Sequence, residues 1–222
     1  MVQSRSQQKQ QTRRKLYDVA MRLFLKRGYA EVNIDDIVRV SGVARGTFYF
    51  HYRAKEDIVY EAVRRGEQEI VARMAAVPLA RPLRDVLAAT CTGFADIWGE
   101  RRSLLADAGA IGMQRVISVA RERDEEPLRL ELVKHVERAL SSGELCSVLP
   151  AQMLADVFLL DVFAALMAWA HTGAPALDVV MPAVIELFLR GAEGFGSPRT
   201  AAGNRTRARK RAVPTLKSAQ RR

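Results

Sequence analysis

The stretch that most restricts this chain is residues 33–58, Asn-Ile-Asp-Asp-Ile-Val-Arg-Val-Ser-Gly-Val-Ala-Arg-Gly-Thr-Phe-Tyr-Phe-His-Tyr-Arg-Ala-Lys-Glu-Asp-Ile. Asn33 is a strong N-cap, and Asp36 stands three residues on, in capping-box position. Ile34, Ile37 and Val40 recur at helical spacing and predict a buried face. Gly42 can take the left-handed conformation that ends a helix, and Val43 starts the turn. A second helix over residues 45–51 follows after this short glycine turn, which is the helix-turn-helix pattern. That second helix is about 10 Å long at ~1.5 Å per residue, and it is dense in aromatic and cationic groups. Its size suits a DNA major groove.

The residues Asp36-Ile37, Ser41-Gly42-Val43, Gly46-Thr47-Phe48-Tyr49, His51-Tyr52 and Lys55-Glu56 resemble the head of the TetR/AcrR family of bacterial transcriptional regulators. The resemblance continues upstream through Ala20, Leu23-Phe24 and Gly28-Tyr29, and covers residues 13–58. Val38 and Ser41 stand where that family usually has small alanines. The resemblance implies phosphate contacts for Tyr49 and Lys55. It also implies a C-terminal helical domain that encloses a ligand pocket and pairs in a four-helix dimer bundle.

Helical phase orients the second helix. Phe48 is expected inside, toward Ile37, Val40 and Leu23, with Tyr52 closing the same core. Arg45, Thr47 and Phe50 are expected to face the groove. Arg45 can pair bidentately with guanine or hold a phosphate, and Thr47 can bond either. Phe50 has no hydrogen-bonding group. It either touches thymine methyl groups or belongs to the core. Gly46 allows close backbone approach. Tyr49 and His51 are read as phosphate donors, although His51 can equally pack against the next helix. Lys55 combines a charge with the exposed amides of a helix start, which favours phosphate. With Asn33 at the front of the first helix, these residues form the expected DNA-binding set.

Around this head the chain reads as all-α, about nine helices, with no strand-like alternation and no internal repeat. Residues 1–11 are polar and basic and read as a disordered arm. Arg5, Lys9, Arg13 and Arg14 either reach a minor groove or are simply solvated. Residues 12–58 are the DNA-binding domain, with Leu16, Val19, Ala20, Leu23 and Phe24 as the core stripe of its first helix. Residues 59–194 are the helical ligand-binding and dimerisation domain. There Leu130, Val133, Val136 and Leu140 are at core spacing, and Pro182 is tolerable only if the last helix begins just before it. The closing helices are apolar nearly all round, which predicts a two-fold interface through Phe158, Val162, Trp169, Val184 and Phe188, unless these are the monomer core. Phe94, Trp98, Met113, Phe163 and Met167 are candidate ligand liners or ordinary core. Asp161, in an apolar helix, is either a bonded interface group or the acceptor of a cationic ligand. Residues 195–222 read as a disordered basic tail.

Charge supports this division. Residues 1–58 carry 12 Lys/Arg against 6 Asp/Glu, 59–194 carry 14 against 19, and 195–222 carry 9 against none. Cations at head and tail favour a polyanionic partner. No GxSxG, Walker loop, GxGxxG or HExxH occurs, and three histidines supply a metal or triad site poorly. The expectation is therefore not an enzyme, with no cofactor and no metal. Cys91 and Cys146 lie in helical pattern without CxxC, which suits a reduced cytoplasm. No signal peptide or membrane span is expected, since Asp156 and Asp161 break the most apolar run. The function expected is a homodimeric repressor of a palindromic operator, released by a small-molecule effector of unknown identity. The alternative is an architectural or partner-regulated DNA-binding protein without an effector.

Overall fold

The computed structural model describes residues 4–107, 109 and 127–194. Among the described residues, eight helices carry the architecture: α1 (Arg5–Arg27), α2 (Ile34–Ser41), α3 (Arg45–His51), α4 (Glu56–Ala75), α5 (Leu83–Gly99), α6 (Pro127–Ser141), α7 (Ala151–Thr172) and α8 (Leu177–Gly194). Residues 102–107 are also helical, and no strand occurs among the described residues. The basic tail at 195–222 and Met113 lie outside the described residues.

Local chemistry sets the ends of the head helices. The Asn33 side chain accepts from the Asp36 amide, and the Asp36 carboxylate accepts from the Asn33 amide, so both orphan donors of α2 are met. Gly42 sits at φ 65° and ψ 22°, the left-handed region that a Cβ disfavours. Within α2 the buried arc runs through Ile37, Ser41 and Asp36, with Ile34 and Val38 half-buried. Val40 is exposed, not core, because it falls past the edge of that arc. Phe24, Ile37, Phe48, Tyr52 and Ile58 are the large, nearly inaccessible side chains that lock α1, α2, α3 and α4 together.

The N-terminal arm is corrected by the structure. Residues 5–11 are not disordered but form the first two turns of α1. Ser4 and Gln7 make a capping box there, and Gln, Arg and Lys are good helix formers that extend a helix already anchored by its buried half.

In the body, α4 packs along α5 and α6, α5 against α8, and α6 and α8 against α7. Leu132, Val133, Val136 and Ala139 are the buried face of α6, while Leu130 points outward. Pro182 lies inside α8, not at its start. It is exposed, so the carbonyl that loses its donor faces solvent while Met181, Val184, Ile185 and Phe188 hold the helix down. At 22 residues and mean hydropathy 1.9, α7 is long and apolar enough to cross a membrane despite Asp156 and Asp161. In this fold its inward stripe of Leu154, Phe158, Val162 and Leu166 is the centre of the body's core, and Arg129 pairs with Asp156 at 2.7 Å.

Phe158, Val162, Val184 and Phe188, read from the sequence as dimer interface, are buried within one subunit. Trp169 is half-buried against the same cluster. The cause is phase. Both sides of α7 and α8 are apolar, so composition cannot say which side faces in. The outward side instead carries Met153, Val157, Leu160 (47% exposed), Val179 and Leu187 (72% exposed).

Candidate nucleic-acid interface

The interface is built on α3. Phe48 is fully buried, and this fixes the rotation of the helix. Arg45, Gly46, Tyr49 and Phe50 then point outward, Phe50 with 67% of its surface exposed, and Thr47 is half-buried. An added Cβ at Gly46 would meet nothing within 4 Å, so this position is an open approach to the backbone. Arg45 pairs with Asp35 at 2.6 Å in an exposed contact that competes weakly with any ligand. Together with Asn33, Arg53 and Lys55, it borders a recess of about 540 Å³ between α2, α3 and the start of α4.

Lys55 has a different environment from the one its sequence position suggests. Its ammonium donates to the carbonyls of Tyr29 and Val32, at 3.0 Å each, and lies 4.2 Å from the Tyr29 ring centroid. The turn before α4 is also closed on itself, since the Arg53 and Ala54 amides both donate to Asp57. Lys55 therefore ties the α1–α2 connection to α4. Asn33 spends its side-chain oxygen on the α2 cap. His51 is half-buried at the end of α3, and its Nδ1 has no hydrogen-bond partner. Burial, with the cations of Arg13 and Lys9 nearby, holds its imidazole below the ordinary value of 6.5.

Two groups to which the sequence assigns no role at the site hold this surface in place. Glu61, 5% exposed, accepts from Arg13, Tyr52 and Arg65 at 2.6–3.0 Å. Arg13 also donates to the His51 carbonyl at the end of α3, so α1, α3 and α4 meet at one carboxylate. Burial pushes that carboxyl up, but the bonds from Arg13, Tyr52 and Arg65 outweigh it and hold it below 4.5. The second group is Tyr29. Its amide donates to Asp107, its hydroxyl donates to Glu56, and its carbonyl accepts from Lys55. Asp107 and the fully buried Leu104, both from the helical segment 102–107, thereby join the body to the head's core. An acid on the same face of α4 as the buried Ile58 and Ala62 was the available signal for Glu61. Nothing local marks Leu104 or Asp107.

The expected ligand set is dispersed. Trp98 is core, and Phe94 is half-buried against that core. Phe163 and Met167 are half-buried on α7, and the Met167 sulfur is 2.6 Å from where a Cβ on Gly109 would sit. Asp161 is on the solvent side of α7, where partial desolvation raises its carboxyl. It directly precedes the buried Val162 but points the other way, to solvent, so it is not an acid enclosed in the core.

Residues 16–62 match the family model described as bacterial regulatory proteins, tetR family. The HTH-type transcriptional regulator AcrR of Shigella flexneri is 28% identical over 166 residues, spanning 69% of this chain and 74% of that one. The HTH-type transcriptional repressor BepR of Brucella suis biovar 1 is 28% identical over 184 residues, 77% of this chain and 86% of that one. Among solved structures, Thermus thermophilus FadR, a TetR-family transcriptional repressor in complex with lauroyl-CoA, superposes with a TM-score of 0.63 at 24% identity, covering 81% of this chain and 94% of that one. That likeness shows a shared fold.

Proposed function

We propose, on the premise that this chain is a transcriptional regulator of the TetR family with a DNA-binding helix-turn-helix, that it acts as a homodimeric repressor. Its operator is palindromic, and a small molecule releases it. The observation that carries the DNA reading is the rotation of α3: burial of Phe48 turns Arg45, Gly46, Tyr49 and Phe50 to the outside on a helix short enough to enter a major groove. Arg45 and Thr47 read base edges, Phe50 meets thymine methyls, and Tyr49 holds phosphate.

The outward apolar side of α7 and α8, through Met153, Val157, Leu160, Val179 and Leu187, supports the dimer. Two heads then face two half-sites one helical turn (~34–36 Å) or a multiple apart. The joint at Leu104, Asp107 and Tyr29 supports ligand control, because a shift of segment 102–107 moves the head's core with it. Two similar proteins support the reading: BepR is a repressor, and T. thermophilus FadR is a repressor that binds lauroyl-CoA.

The test is selection of the bound duplex from fragmented host DNA, followed by sedimentation of the complex. A two-fold symmetric site holding two subunits is the expected result, with release when host metabolite extract is added. A single half-site, or one subunit per duplex, overturns the dimer reading. Retention in every extract favours the effector-free alternative.

A further inference from the structure

The first two turns of α1, residues 5–11, extend a cationic ridge beyond the part of the helix that packs on the fold. From residue 5 to residue 15 there are five Lys/Arg and no Asp/Glu, and residues 5–11 contain no apolar side chain. Every residue from 4 to 11 is exposed, so these two turns rest on nothing. A helix end without a packed face is marginal in water, and here the Ser4–Gln7 capping box supports it.

Arg5, Lys9 and Arg13 recur every four residues and so lie along one face of α1, about 6 Å apart along the axis at ~1.5 Å per residue. That face is aimed at the recognition helix. Arg13 donates to the His51 carbonyl at the end of α3 and to Glu61. One turn further out, the Lys9 ammonium sits 4.9 Å from the ring centroid of the exposed Phe50. Arg13 is neutralised by Glu61, whereas neither Lys9 nor Arg5 has a carboxylate partner among the described residues.

We propose that Arg5 and Lys9 on this helical ridge grip the DNA phosphates flanking the half-site that α3 enters. The proposal rests on the reading that α3 meets DNA. The occupant is the sugar–phosphate backbone of that duplex. The ridge starts at the tip of the groove-facing helix, has no acid to repel phosphate, and presents its cations at regular steps on a preformed rod. Point charges of this kind contribute affinity without sequence preference. Lys9 over Phe50 also joins the backbone grip to the base-reading surface, so the two engage together.

The experiment compares the full chain with the double variant Arg5→Gln/Lys9→Gln, which keeps helix propensity and helical circular dichroism. The probes are a duplex selected from random-sequence DNA by the full chain and a scrambled duplex of the same composition. Expected is a rise in Kd of roughly ten- to a hundredfold on both duplexes, with the slope of log affinity against log salt reduced by roughly two per bound head, at about 0.9 per phosphate. The charge-conserving pair Arg5→Lys/Lys9→Arg retains the wild-type slope. An unchanged Kd and slope on both duplexes overturns the proposal. So does a loss confined to the selected duplex with the slope intact, which makes Lys9 a support for Phe50. Equal wild-type binding to both duplexes strikes the operator reading, and a variant deficit on both still upholds the ridge.

Discussion

In the head, one carboxylate accepts from Arg13, Tyr52 and Arg65 and a lysine bonds two carbonyls, whereas the body around Phe158 and Val162 is held by apolar contact. The body's buried polar side chains among the described residues are Thr90 and His135, and Thr90 is satisfied by the Val86 carbonyl one turn back. The head is small and must leave most of α3 uncovered, so it has little area to bury. Directional polar ties give it geometry in place of area. Long apolar helices in the body bury area instead and carry few such ties, among them Arg129 to Asp156 between α6 and α7.

The largest effects test whether the two cores are separate. Phe48→Ala is expected to destabilise the head by about 3–5 kcal/mol and to abolish DNA binding, while the helical signal of the body persists to its usual melting temperature. Phe158→Ala is expected to cost the body a similar ~3–5 kcal/mol. A single transition shifted equally by both variants would show one cooperative unit and break the comparison.

Glu61→Gln comes next, at about 1–3 kcal/mol, because Arg13, Tyr52 and Arg65 lose a charged acceptor. The two arginines are themselves partly exposed, which keeps the loss below that of a fully buried pair. The Glu61 pKa is lowered on folding, so its contribution is complete above about 4.5 and is lost as pH falls through the folded value. The head's melting temperature should therefore drop below pH ~4.5 in the wild type, with a shallower drop in Glu61→Gln. Parallel profiles would remove Glu61 from this role.

Lys55→Ala sharpens the contrast between a structural tie and a phosphate contact. Its two carbonyl bonds predict a loss of roughly 1–2 kcal/mol in head stability with the salt slope of DNA binding unchanged. A stable head with a slope lower by about one would restore the phosphate role. The smallest stability effect is expected from Arg45→Ala. Its exposed pair with Asp35 is worth under ~1 kcal/mol, and thermal melting should barely move. The same variant should relax preference at one base pair of the operator by about 1–3 kcal/mol. A uniform loss over all duplexes would make Arg45 a backbone contact.

Legibility in the sequence followed the range of the interaction. The capping box of Asn33 and Asp36, the left-handed Gly42, and the inward Phe48 and Tyr52 all depend on neighbours a few residues away, and the structure has each as the sequence predicts. The helical extent of residues 5–11 is also local, but their polar composition points to disorder while the Ser4–Gln7 cap and the helix propensity of Gln, Arg and Lys point to helix, and the latter prevail. The exposed side of α3 follows from the phase of Phe48. The partner of Lys55 does not, because the carbonyls of Tyr29 and Val32 lie 23–26 residues away.

What the amino-acid order determines by itself is the all-α class, the helix-turn-helix with its ends, and the concentration of positive charge at head and tail. These come from backbone propensity, caps and periodicity, which act within a turn or two of helix. Only the tertiary structure decides which side of α7 and α8 faces inward, that Glu61 draws three elements to one point, and that Leu104 and Asp107 fasten the body to the head. An apolar helix has no preferred face until a second surface presses against it, and a carboxylate has no partner until the fold supplies the donors.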